Sequence, residues 1–263
     1  MSNLKFRAQI VCALFLLSMS AAAQMAPQRM AVTPRTAQPE STLFQVSTLD
    51  ALLQGVYGSS MTLAELRQHG DFGLGAYEGI DGEMMLVDGH FYQMRFDGTM
   101  SEAPPDGRTP FAAVTTFHPD VRFSVKAASL QQLSDLIDSV LPSPNLFYAI
   151  RVHGTFSVMN TRAIAKQFLP YVPLGQLIPT QSLFTYSNVV GTAVDIRSPA
   201  YITGINQVGH HYHFVSDDHK GGGHALSFTT GEVTVEVQTL RQYSVWLPLD
   251  EPFLRATLPF SGN

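Results

Sequence analysis

HHYHFVSDDHKGGGH, residues 210–224, carries five of the nine histidines of this 263-residue chain. On a β-strand, residues two apart face the same way, so His211 and His213 share a face and His210 points to the other. DDHKGGG can turn the chain back, its glycines permitting positive φ. That lays His224 on a neighbouring strand, close to the pair. Three imidazoles from two adjacent strands match an open metal site, with a fourth position left for water or substrate. Imidazole suits zinc and other divalent metals alike, so the spacing does not name the ion. The same residues also fit a polar surface hairpin. A cupin-like site starts with HxH too, but wants a glutamate shortly downstream, where Asp217 is a poor substitute.

Around this segment the chain alternates apolar and polar residues. FTYSNVVGTAVDIRS, YITGINQVGHHYHFVS, HALSFTT and GEVTVEVQTLRQYSVWLPL read as antiparallel strands with glycine-containing connections. Residues 170–263 are therefore expected to form a small antiparallel β-barrel or sandwich carrying the metal site. QFLPYVPLGQLIP, with three prolines, is the best internal boundary. Residues 42–169 read as a mixed sheet with helices, giving an α+β chain overall. Thr48 can cap a short helix ending at Gly55, and Thr62 with Glu65 makes a capping box for a second. Asp-Gly pairs at 81–82, 88–89 and 97–98 predict tight turns between short strands. SLQQLSDLIDSVLPSP has helical spacing at Leu130, Leu133 and Ile137 and is closed by Pro142. FYAIRVHGTFSVMNTR reads as a strand, a turn at His153-Gly154, and a second strand.

The composition, 45% hydrophobic and 14% charged, provides for a sizeable core. A net charge of −5 gives no electrostatic footprint for nucleic acid. Lys5 and Arg7, the apolar run IVCALFLLSM and Ala21-Ala22-Ala23 make residues 1–23 a cleavable signal peptide, with Gln24 as the mature start. The apolar run is too short for a membrane span. The protein is thus expected to be exported, periplasmic or secreted, with no membrane association after cleavage. Cys12, the only cysteine, lies in that leader, so the mature chain holds no disulfide. Residues 24–41, rich in Pro, Gln, Thr and Ala, read as a disordered mature N-terminus.

A metal needs charged partners. Glu83 follows an Asp-Gly turn, Arg151 lies in an apolar strand and Arg162 on the strand that follows. Each alone is more simply a solvated or ion-paired structural residue. A non-catalytic exported metal-binding or sugar-binding β protein would explain the histidines equally well.

Taken together, GDFGLGAYEGIDGEM, DGHFYQMRFDGT, LFYAIRVHGTF, NTR, YVPL, NVVGTAVDIRSPAYITGINQVGHHYHF and GGGHAL resemble, in order and spacing, the alpha-acetolactate decarboxylases, from about Leu43 to Leu258. The resemblance implies zinc held by His211, His213 and His224, with His210 outside the ligand set. It implies active-site roles for Glu83 and for Arg162, leaving Arg151 structural. It implies the substrate 2-acetolactate, the products acetoin and carbon dioxide, and a homodimer joined through the N-terminal sheet. The hydroxyl and ketone oxygens would chelate the metal, which stabilises the enediolate left by decarboxylation. Protonation on one face would then give a single enantiomer. Arg162 would act electrostatically or hold the proton donor, since a guanidinium is a poor acid. Some members supply a second glutamate from a C-terminal tail. Glu251 does not align with it, and Ala76 stands where threonine is frequent.

Overall fold

The computed structural model describes residues 41–258 except Ser60. The leader and nearly all of the segment at 24–41 lie outside the described residues. The strands, in chain order, are β1 (Thr42–Val46), β2 (Met61–Thr62), β3 (Phe72–Ala76), β4 (Glu83–Val87), β5 (His90–Met94), β6 (Met100–Glu102) and β7 (Arg108–Thr109). They continue with β8 (Phe111–Thr115), β9 (Val121–Val125), β10 (Phe147–Ala163), β11 (Ser182–Arg197), β12 (Tyr212–Ser216), β13 (Gly222–Leu240) and β14 (Gln242–Trp246). The helices are α1 (Leu49–Leu53), α2 (Leu63–Leu66), α3 (Leu130–Val140), α4 (Leu174–Leu177) and α5 (Glu251–Arg255).

Seven strands form a mixed sheet in the order β14-β1-β8-β3-β4-β5-β6, parallel only between β1 and β14. The second sheet is antiparallel, in the order β10-β11-β12-β13-β9. Because β10 also pairs with β13, four of its strands close into a ring. The mixed first sheet and the small C-terminal barrel are thus as expected.

The division of the chain between them is different. β9 and β10 precede residue 170 yet belong to the ring sheet, while β14 follows it and forms an edge of the first sheet. The 169/170 position therefore does not separate the two sheets. The proline-rich segment instead supplies α4, which lies against α1.

His153-Gly154 is not a turn either. β10 runs unbroken through it, paired on both sides, with a register shift just beyond Gly154. Gly154 has φ 147°, and a Cβ there would meet the carbonyl oxygen of Glu232 at 2.7 Å. The glycine lets a long strand bulge and bend around a narrow ring, which from sequence resembles a turn. Of the Asp-Gly pairs, Asp88-Gly89 is a two-residue hairpin with both φ positive, at 51° and 85°.

Local signals for the helices hold. Thr48 and Ser129 accept from backbone N–H groups at the starts of α1 and α3, and Thr62 with Glu65 forms the complete capping box of α2. On α3, Leu133 and Ile137 are fully buried against Tyr148, Phe156, Tyr212, Phe214 and Phe228 of the ring. A second cluster joins the two sheets, with Leu43, Phe72, Leu74 and Ala113 of the first against Ala149, Val194 and Ile196 of the ring. This junction brings the first sheet's β4 against the ring strands that carry the histidines.

Candidate metal centre

The ladder delivers two of the histidines directly. His213 on β12 and His224 on β13 are cross-strand partners, which puts their side chains on one face. His211 precedes β12 by one residue and shares that face with His213, while His210 and Tyr212 stack with rings 3° from parallel on the other. Gly223, with φ 122°, lets β13 approach β10, since a Cβ there would meet the Arg162 carbonyl oxygen at 2.6 Å. This places Arg162 opposite His224 in the register.

Nε2 of His211 and Nε2 of His213 each lie 3.3 Å from Nδ1 of His224. A tetrahedral ion bound at about 2.0–2.1 Å spaces neighbouring nitrogens roughly 3.3–3.4 Å apart, so the donor set fits a zinc-sized ion. Among the described residues, this triad is the one group whose donor atoms converge within 4.8 Å. His213 Nδ1 donates to the Met84 carbonyl at 2.8 Å, which leaves its Nε2 lone pair facing the triad. Burial, helped by the Arg162 charge, pulls His211 down to about 4. Burial, the Arg162 charge and the crowding of the imidazoles hold His213 and His224 well below the ordinary imidazole range. Neutral imidazoles keep the lone pairs a metal requires.

Glu83 opens β4 beside this triad. One carboxylate oxygen lies 3.5 Å from His213 Nε2 and the other 3.5 Å from Arg162 Nη1. Both side chains are nearly buried, 8% and 13% exposed. Burial raises the Glu83 pKa, and Arg162 opposes that rise. Arg162 Nη1 is buried without a hydrogen-bond partner, as is Nδ1 of His211. All five residues line one cavity of about 260 Å³. Its remaining wall is mostly apolar, built by Leu52, Phe111, Ile164, Leu174 and Ile178, so α1 and α4 cover the site. Ala76 lies directly across the β3–β4 ladder from Glu83.

Arg151 lies elsewhere. It pairs with Asp88 at 2.6 Å, with its guanidinium 5.2 and 5.1 Å from the rings of Phe72 and Phe117. Glu251 is exposed on α5, ion-paired with Arg255 at 2.8 Å, and does not line the cavity.

Two features escaped the sequence. The apolar wall arises from helices too short to announce a shared surface. Asp195, fully buried, accepts from the His211 N–H at 2.9 Å and from His210 Nδ1 at 2.6 Å. Its signal was a lone carboxylate in the apolar run AVDI.

The alpha-acetolactate decarboxylase family model matches residues 43–259. An alpha-acetolactate decarboxylase of Methanosarcina mazei is 40% identical over 219 residues, covering 82% of this chain and 75% of the relative. One from Bacillus subtilis is 39% identical, covering 84% and 87%. A crystal structure of the alpha-acetolactate decarboxylase from Bacillus subtilis strain 168 superposes with a TM-score of 0.82 at 38% identity, covering 84% of this chain and 95% of that one.

Proposed function

Since the chain belongs to the alpha-acetolactate decarboxylase family and is an acetolactate decarboxylase, a carboxy-lyase, we propose that its reaction takes place in the cavity between the histidine triad, Glu83 and Arg162. There 2-acetolactate gives acetoin and carbon dioxide. The observation that carries this reading is the convergence of three neutral imidazoles with a buried carboxylate and a nearly buried guanidinium around one cavity.

In the reaction the bond from C2 to the carboxylate carbon breaks. Its electron pair moves into the adjacent ketone, and a proton then replaces the lost carboxylate. A zinc ion on His211, His213 and His224, when bound, supplies Lewis-acid stabilisation of the negative charge that develops on the substrate oxygens. Arg162 contributes fixed positive charge from a buried position, where it is worth more than in water. Its Nη1, 3.5 Å from the Glu83 carboxylate and making no hydrogen bond, is a donor placed to meet the substrate carboxylate or the developing oxyanion. Glu83, its pKa raised by burial, is suited to hold a proton and pass it to the substrate, and its reach to both Arg162 and His213 orients the hydroxyl. The apolar wall from α1 and α4 takes up the two methyl groups and excludes water. Protonation from the Glu83 side alone would give one enantiomer of acetoin.

The deciding experiment follows acetoin from racemic 2-acetolactate on the chain starting at Gln24, before and after chelation and again with zinc restored. Acetoin formation that vanishes and returns supports the reading. Turnover that persists without metal removes the triad from the chemistry. The same reading takes the protein as an exported homodimer, with residues 1–23 as its leader. A mature N-terminus at Gln24 and a solution mass of twice the chain are the expected results.

A further inference from the structure

We propose that Asp195, a carboxylate with no part in the reaction, is the positioning residue that sets His211 as a metal ligand, with His210 as its brace. The inference rests on the reading of the triad as a metal site. The three imidazoles are not held alike. His213 lies within the β12 ladder, and its Nδ1 is tied to the Met84 carbonyl. His224 lies within β13, paired with β12 on one side and β10 on the other. His211 has neither advantage. It lies just outside β12, and its Nδ1 is buried without a partner. A metal-bound imidazole is ordinarily oriented by a hydrogen bond to its second nitrogen. His211 lacks one, so its orientation depends on its backbone.

Two bonds fix that backbone. The His211 carbonyl accepts from Ile196 N–H at 3.2 Å, and its N–H donates to Asp195 Oδ1 at 2.9 Å. The carboxylate thus does for this one ligand what the sheet ladder does for the other two. Asp195 is itself fixed, because Oδ2 accepts from His210 Nδ1 at 2.6 Å. His210 is stacked on Tyr212, whose hydroxyl meets Ser134 of α3 at 3.1 Å. On its far side His210 Nε2 lies 3.4 Å from Asp138, also on α3, though not aligned for a hydrogen bond. Asp138 is held in turn by Arg197 at 3.1 Å. A buried carboxylate is expensive unless paired and hydrogen-bonded, and this one has both kinds of partner. The alternation that points His211 and His213 towards the metal points His210 at the carboxylate, so adjacent histidines do opposite jobs.

The test is Co(II) binding to the metal-free full-length protein, by competition with a chromophoric chelator and by the visible Co(II) spectrum. Asp195→Ala is expected to weaken binding about 10–100-fold and to change the spectrum, as loss of a ligand's outer partner does. Asp195→Asn retains an acceptor for the His211 N–H and is expected to recover most of the affinity. His210→Phe, which leaves the carboxylate unbraced, is expected to fall between. Asp195→Ala binding Co(II) within about twofold of wild type, with the same spectrum, overturns the proposal. It does so even if the metal-free variant melts earlier, since that is a merely structural role. If Asp195→Ala fails to fold, His210→Phe decides, and unchanged affinity and spectrum there overturn the proposal. Wild-type protein that takes up no Co(II) overturns the metal reading and this inference with it.

Discussion

At the residue scale the candidate site gathers groups whose proton affinity burial shifts, the three imidazoles downward and Glu83 upward. The planar fork of the Arg162 guanidinium is not reproduced by an ammonium. Arg162→Lys and Arg162→Ala are both expected to lower kcat by roughly 100–1000-fold, the cost of removing one preorganised donor to developing charge. Steady-state acetoin formation checks this, with metal content measured alongside and expected to stay at wild-type level. His211→Ala is expected to lose both metal and turnover. His211 also makes the metal-free protein sensitive to acid. Its folded-state pKa of about 4 lies below the ordinary imidazole value, so the unfolded chain binds the proton more readily. Its contribution to stability is present above about pH 6.5 and is lost progressively as the pH falls towards 4. Urea titrations of metal-free protein across that window are expected to show falling midpoints, and His211→Ala to flatten the fall. The triad was legible because strand alternation and a glycine turn are local rules. Glu83 and Arg162 were not legible from such rules, since a buried pair and a solvated pair look alike along the chain. Their roles came only from the resemblance of separated motifs to the alpha-acetolactate decarboxylases.

At the scale of elements, Gly223 is the position where backbone and chemistry meet. Its left-handed φ and its approach to the Arg162 carbonyl exclude a side chain. Gly223→Ala is expected to cost about 1–3 kcal/mol of stability in thermal unfolding. It should also lower turnover, because the displaced segments carry His224 and Arg162. Leu133→Ala in α3 is expected to cost about 2–5 kcal/mol, since Leu133 is fully buried among the ring aromatics and leaves a cavity. Leu133 does not line the cavity beside the triad, so activity at low temperature is expected to be kept. Helix caps and the Asp88-Gly89 hairpin were readable because each is decided within a few residues. The lengths of β10, β11 and β13 were not. Their internal glycines carry the same signal as a turn, and only the partner strands reveal that the chain runs on.

At the scale of the molecule, fold class and site location were legible, but the way the chain is shared between the sheets was not. Sheet membership is set by pairings between residues as much as two hundred positions apart, as where Thr42 meets Gln242. A proline-rich stretch that resembles a linker instead helps to wall the cavity beside the triad. The late arrival of β14 has a consequence for synthesis. The ring's pairing of β10 with β13 is complete only at residue 240, and the first sheet lacks one edge strand until residue 246. A chain emerging from its amino end therefore completes neither sheet until β13 has been made. Such long-range topology folds slowly, because the entropy of closing large loops is spent before the contacts form. The nascent protein thus keeps both sheets incomplete until β13 and β14 appear.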